Sequence, residues 1–180
     1  MNRLLVGMTI FVLASACAPI QQNTGTRDTY KVTEFDDPAE NTTHAWLDGQ
    51  FLARDRSGNT KAAIALLGYP NIESYMLHIM FNGKDWIFIK QDNSVVINID
   101  GEITRLTAIG TPSRTVGRGD VLEQANYHIS PAQIYSIATG TTVYVKVAGS
   151  KGSVTGLVPQ STKNSFARLL VEYPITHPRI

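Results

Sequence analysis

Between Thr60 and Ile109 the chain breaks into short apolar or alternating segments, each closed by residues that favour tight turns. Lys61–Tyr69 is an apolar run ended by Gly68 and Pro70. Tyr75–Phe81 and Asp85–Lys90 flank Asn82-Gly83, and Val95, Ile97 and Ile99 alternate with Val96, Asn98 and Asp100 before Gly101. Successive side chains of a strand point to opposite faces, so such spacing gives one buried and one wet face. Asn-Gly and Asp-Gly suit the positive φ angles of two-residue hairpin turns. The pattern predicts a meander of antiparallel strands that continues through Asp100-Gly101 into Glu102–Ile109. Tyr30–Phe35 and Ala45–Ala53 read as further strands of the same sheet, with Ser57-Gly58-Asn59 as a turn.

The C-terminal third adds helices. Ser130-Pro131 places an N-cap before a proline at the first helical position, and Gly140 stops the run, predicting a helix over about 131–138. A second helix starts near Ser161 or Thr162. Phe166, Leu169, Leu170 and Tyr173 form one apolar stripe on it, and Pro174 ends it. Between the two, Thr142–Ala148 alternates, with Val143, Val145 and Val147 inward and Tyr144 and Lys146 outward. The expected fold class is α+β, mainly β: an antiparallel meander sheet, or a partly closed barrel or sandwich, with two short late helices. With 43% apolar and 17% charged residues, a chain of 180 residues can bury a core without staples, which excludes disorder and fibrous classes.

The segment before this domain is of another kind. Arg3 precedes the uncharged run Leu4–Leu13, and Ala14-Ser15-Ala16 is a small-residue cleavage zone. A run of that length is too short to span a hydrocarbon core of ~30 Å, which takes about 20 helical residues. Cys17, the single cysteine, follows at once. Leu13-Ala14-Ser15-Ala16-Cys17 resembles the lipobox of bacterial lipoprotein precursors, with Ala14 where the family most often has Leu and Leu13 one position further back. The resemblance implies a signal peptide over 1–16, cleaved before Cys17, and a cysteine that carries diacylglycerol and an acylated amine. It also implies a bacterial envelope location; Ala18, rather than Asp, after the cysteine favours the outer membrane, facing the periplasm. Residues 18–29 are polar, with Pro and Gly and no periodicity, and read as a tether of at most ~40 Å. A single domain is expected over 30–180. The full chain carries a net charge of +1, so loss of Arg3 with the signal leaves zero, which argues against nucleic acid as a partner. The membrane partner is then the lipid anchor itself, and no second cysteine exists to form an intrachain disulfide.

Catalytic sets are hard to assemble. His44, His78, His128 and His177 are far apart in sequence and none has a metal-motif spacing, so no metal is expected. His78 shares a strand face with Met76 and Met80 and reads as a satisfied sheet histidine. His44, Trp46 and Asp48 fall on one strand face and could line a pocket, though a cross-strand polar patch is the plainer reading. No G-x-S-x-G is present, and Ser150-Lys151-Gly152-Ser153 reads as a hairpin tip without the burial that activates a lysine. Asp36-Asp37 and the pair Asp100 and Glu102 read as solvated charge beside turns. No Gly-rich phosphate motif follows a strand, so no cofactor is expected. Arg118-Gly119-Asp120 spells the cell-adhesion tripeptide, a match too short to carry weight.

One region stands out as a contact surface. Thr111–Asp120 is rich in Pro, Ser and Gly and reads as a long loop, with Arg105, Arg114 and Arg118 as a modest basic cluster around it. The reading is therefore a lipid-anchored, periplasm-facing protein that binds or positions a protein partner of the envelope or an envelope-spanning assembly, without catalysis. An envelope hydrolase assembled in space around His44 and Asp48 is one alternative. A binder of a small apolar ligand beside Trp46 or Trp86 is the other.

Overall fold

The computed structural model describes residues 30–39, 42–54, 61–68, 75–117 and 119–175. Ten strands and two helices follow in the order β1 (Val32–Asp37), β2 (Thr42–Arg54), β3 (Lys61–Gly68), β4 (Tyr75–Gly83), β5 (Val95–Ile99), β6 (Glu102–Leu106), β7 (Ala108–Gly117), β8 (Asp120–Ile129), α1 (Pro131–Thr139), β9 (Val143–Ala148), β10 (Ser153–Leu157) and α2 (Gln160–Glu172). They form a six-stranded sheet, β1-β2-β3-β4-β8-β7, and a four-stranded sheet, β10-β9-β5-β6. Every pairing is antiparallel. The class is α+β, mainly β, as the alternation and turn residues predict.

A single apolar cluster joins the inner faces of both sheets. Leu77, Ile79 and Tyr127 from the larger sheet meet Ile97, Val145 and Val147 from the smaller one, with Phe166 and Leu169 of α2 closing the side. The buried Ser94 and Tyr127 hydroxyls hydrogen-bond across that core at 2.8 Å, so neither is left unsatisfied. α1 begins on a full capping box: the Ser130 hydroxyl accepts from the Gln133 N–H while the Gln133 side chain accepts from the Ser130 N–H. α2 starts after Pro159 without a side-chain cap and is held by packing. Its buried Lys163 donates to the carbonyls of Gly140 and Thr141 at 2.8 and 3.0 Å, bolting α2 to the end of α1.

The structure corrects the sequence reading at three places. Asn82-Gly83 is not a hairpin: β4 runs straight through it, with Asn82 opposite Leu122 and Gly83 opposite Val121. Asp85–Lys90 forms no strand beyond an isolated bridge from Ile89 to Gly149. Instead, the backbone N–H groups of Ile87, Phe88 and Ile89 donate to the carboxylate of fully buried Glu123 at 2.7, 2.9 and 2.7 Å. A local turn signal loses here to a long-range carboxylate that satisfies the donors a strand would have used. The resulting bend holds Phe88 at φ +55° and brings Gly149 so close that a Cβ there would lie 1.9 Å from the Ile87 carbonyl oxygen.

The second correction concerns Glu102–Ile109, which is two strands. The chain leaves the small sheet at Leu106 and enters the large one at Ala108. The third is Thr111–Asp120, which is β7 and the start of β8, not a loop. β7 is the outer edge of the large sheet, with a register break between Ile109 and Ser113 and Gly110 at φ +70°. Pro, Gly and polar residues are the composition of a bulged edge strand as well as of a loop, which is why the two look alike in sequence. The Asp100-Gly101 turn, by contrast, is as expected, with φ of +51° and +102°. β9 and α1 are as expected too, whereas β10 carried no strand signal of its own. The turn Ser57-Gly58-Asn59 lies outside the described residues, as do the lipobox and Cys17.

Candidate functional site

The small sheet turns one face to the core and leaves the other outward. In β5 and β6 the outward residues are Val96, Asn98, Ile103 and Arg105; in β9 and β10 they are Tyr144, Lys146, Thr155 and Leu157, alternating with core residues such as Val95, Ile97, Leu106, Val145 and Val154. The register lines them up in two rows. Ile103, Asn98, Tyr144 and Leu157 stand side by side, and so do Arg105, Val96, Lys146 and Thr155. Directly opposed residues keep Cβ atoms about 4.5–5.5 Å apart, so each row is a continuous surface. Ile103 is 54% exposed, Tyr144 43% and Leu157 36%. Isolated exposed apolar residues are ordinary, but three in one cross-strand row are a patch. Arg105 and Lys146 flank Val96 about 10 Å apart, two strand spacings, and no carboxylate stands in either row.

Arg105, a contact residue expected from sequence, therefore lies in this patch. Arg114 does not. It stands on β7 of the other sheet, donates to the Ile89 carbonyl at 3.2 Å, and lies 3.6 Å from the buried Glu123 carboxylate. Its guanidinium also sits 5.3 Å from the centre of the Phe88 ring, with the Lys151 ammonium 4.7 Å from the same ring. Arg114 is a counter-charge to a buried acid, a role that the polar texture of its segment does not disclose. Arg118 is outside the described residues. Sequence alternation did mark Tyr144 and Lys146 as outward; it could not tell that Ile103, Asn98 and Leu157 would stand beside them, because that depends on strand pairing.

A cleft of about 510 Å³ opens on the inner side of the same sheet, between β5–β6 and α1. Ile97, Ile99 and Ile137 floor it, with Asp100, Glu102 and Ser136 at its rim. Asp100 is no free acid: its carboxylate accepts from the N–H groups of Thr142 and Thr141 at 2.7 and 2.9 Å. Those bonds, Thr142 first, hold the Asp100 carboxyl below the usual carboxylate range. Around it Gln133 serves the helix cap, while the Ser136 and Thr139 hydroxyls donate to the carbonyls of Ala132 and Tyr135. These polar groups are spent on local structure. Neither tryptophan lines this cleft.

The histidines are placed by the large sheet. His78 Nδ1 is 2.6 Å from Asn126 Oδ1, and its ring lies 5.5 Å from Trp46. His44 is buried and stacks on Phe35 at 5.0 Å. The register between β2 and β3 shifts between Leu47 and Gln50, and the Asp48 side chain lies outside the described residues. Among the described residues no group of three or more His, Cys, Asp or Glu could hold a metal ion. Asp36 and Asp37 serve the β1–β2 turn, accepting from the Thr43 hydroxyl and the Ala39 N–H at 2.8 and 2.9 Å. No family model, no curated protein and no solved structure matches the chain.

Proposed function

We propose that the chain is a lipid-anchored protein of the bacterial envelope, held at Cys17 and facing the periplasm. In this reading it binds a protein partner through the outward face of its four-stranded sheet, without catalysis. The observation that carries the docking surface is the paired row of exposed Ile103, Tyr144 and Leu157 beside Arg105 and Lys146. An apolar, aromatic centre rimmed by cations is the composition of a recognition patch, and Tyr and Arg are the residues most often found at energetic centres of interfaces. The absence of carboxylates from both rows asks for a partner that presents acidic groups around an apolar contact. The anchor rests on the lipobox resemblance of Leu13–Cys17.

The test is site-directed photocrosslinking of the membrane-anchored full chain in cells. A benzophenone side chain in place of Tyr144 should give one discrete protein adduct, and the same group in place of exposed Tyr135 on α1 should not. Arg105→Glu with Lys146→Glu should abolish the adduct while thermal melting stays unchanged. Equal adducts from both positions, or an adduct indifferent to the charge reversal, would remove this face from the proposal. The anchor is read separately, by the intact mass of the mature protein: it should begin at Cys17 and carry lipid.

A further inference from the structure

The outer edge of the four-stranded sheet is β6, and among the described residues no strand lies beyond it. Which of its backbone groups face that edge follows from the ladder. The Ser94 carbonyl accepts from the Ala148 N–H at 2.7 Å and the Asp100 N–H donates to the Thr142 carbonyl at 3.0 Å, both toward β9. Backbone groups alternate in direction along a strand, so the even-numbered residues of β5 face β9 and the odd-numbered ones face β6. Val95, Ile97 and Ile99 stand opposite Leu106, Thr104 and Glu102. Those three therefore bond to β5, and the N–H and C=O groups of Ile103 and Arg105 point off the sheet.

Natural sheets ordinarily blunt such an edge. β7, the edge that follows in the chain, does so with Pro112, a register break and Gly110 at φ +70°. β6 has none of these: its pairing with β5 runs unbroken from Glu102 to Leu106, without proline or glycine. Glu102, Ile103 and Arg105 are exposed. The two sides of the edge carry different chemistry. Outward stand Ile103 and Arg105, each at the end of one of the two rows described above. Inward, Glu102 and Thr104 line the cleft of about 510 Å³ whose apolar floor is Ile97, Ile99 and Ile137.

We propose that the protein partner adds an extended strand to β6, with an acidic side chain beside Arg105, an apolar one beside Ile103, and an apolar one between them that enters the cleft. This rests on the docking reading above and names the segment that docks. The added strand is antiparallel, the pairing that is more stable per residue and that every strand here already uses. In strand addition the main-chain bonds supply affinity, and pockets for alternate side chains supply specificity. Read from its N-terminus, the segment is acidic, apolar, apolar. Directly opposed side chains interact, so an acid beside Arg105 is favoured and a cation is rejected. A second copy of β6 does not meet this pattern. In hydrogen-bonding phase it sets Gly101, Ile103 or another Arg105 opposite Arg105, never an acid.

The experiment uses the full chain, isotope-labelled in detergent micelles, and a capped octapeptide with Glu-Leu-Val at its centre between serines and threonines. Amide hydrogen exchange is read residue by residue. In the free protein the Ile103 and Arg105 amides should exchange fast and that of Thr104 slowly. At saturating peptide the Ile103 and Arg105 amides should slow by at least about tenfold, with Thr104 unchanged. Methylating the peptide's valine nitrogen, which faces β6, should weaken binding about three- to tenfold for the lost hydrogen bond, and methylating its leucine nitrogen, which faces away, should not. No slowing at millimolar peptide overturns the proposal, as does slowing indifferent to valine methylation. Slowing that grows with protein concentration in the absence of peptide also overturns it, since a second copy then covers the edge. The docking face is tested apart from the strand, by the Tyr144 adduct in cells. Loss on Ile103→Pro, which removes an edge N–H, with retention on Ile103→Ala, which keeps it, supports strand addition. An adduct that is lost on charge reversal of Arg105 and Lys146 but responds alike to Pro and Ala leaves the face standing and sinks the strand. An adduct indifferent to the charge reversal removes both.

Discussion

The two outward faces of the sandwich rest on the same pleat and the same core, yet they differ in exposure. On the four-stranded sheet, Ile103, Tyr144 and Leu157 stand well into solvent, with Arg105 and Lys146 beside them. On the six-stranded sheet, Trp46, Met76, His78 and Met80 are half-buried, the Trp46 ring lies 5.5 Å from His78, and the Phe35 ring stacks on His44. The difference teaches that apolar residues off the core are not one class. A row of separate exposed side chains with cations suits docking to a discrete acidic partner; a half-buried row in which Trp46 packs on His78 and His78 meets Asn126 is held within its own sheet.

Removing the joint between the sheets should have the largest effect, abolishing both faces together. Glu123→Ala leaves the N–H groups of Ile87, Phe88 and Ile89 without their acceptor and Arg114 without its counter-charge. It should cost about 3–5 kcal/mol, as for breaking a buried charge pair. Urea denaturation measures it, and a loss below about 1 kcal/mol would mean the bend holds without the carboxylate. Charge reversal at Arg114 belongs with this variant and should lower stability, not merely recognition.

Next come the residues of α2 that brace the core behind both sheets. Leu169→Ala should cost about 2–5 kcal/mol, since Leu169 is fully buried, and Leu170→Ala distinctly less, because Leu170 lies only partly covered. Equal losses would show that the stripe is buried evenly, contrary to this packing.

Truncation of one residue on each face sharpens the comparison directly. Trp46→Ala should lower stability by about 1–2 kcal/mol, a half-buried aromatic losing its neighbours. Tyr144→Ala should stay within about 0.5 kcal/mol of the parent and yet lose partner association. Thermal melting paired with the crosslinking assay separates them. If Tyr144→Ala were the more destabilising, the smaller sheet's face would be structural rather than a contact surface.

The smallest effect is at the cleft rim. The Asp100 carboxyl is held low by the N–H groups of Thr142 and Thr141, so the folded state binds its proton less readily than the unfolded chain. Its stabilisation is present above the ordinary value of 3.8 and is lost as pH falls through the lower folded value. Acid melting curves of the parent should show this slope, and those of Asp100→Asn should not.

How much of this was legible depends on the range of the interaction that decides it. The Ser130 cap, the Asp100-Gly101 turn and the alternation of β5 and β9 are written within a few residues, and each element forms as its local pattern predicts. Asn82-Gly83 carries an equally strong local signal and fails, because β8 pairs along all of β4 and Glu123 takes the N–H groups that follow. Arg105 could be picked as a surface cation, but not the company it keeps, which depends on β5 pairing with both β6 and β9. Arg114 reads as an exposed cation because nothing in the sequence marks Glu123, nine residues on and directly opposite it in β8, as a buried acid.

By itself, then, the sequence determined the class of the fold, the positions of α1 and α2, the β5–β6 turn, and the lipobox resemblance at Cys17. All of these depend on covalent geometry, capping and side-chain period, which act over a few residues. Only the tertiary structure decided that the strands divide into two sheets, that Thr111–Gly117 is an edge strand, and that Ile103, Tyr144, Leu157, Arg105 and Lys146 share one surface. Strand pairing joins residues tens of positions apart, and a one-residue slip would turn each of those side chains to the other face, so no local pattern can specify which of them meet.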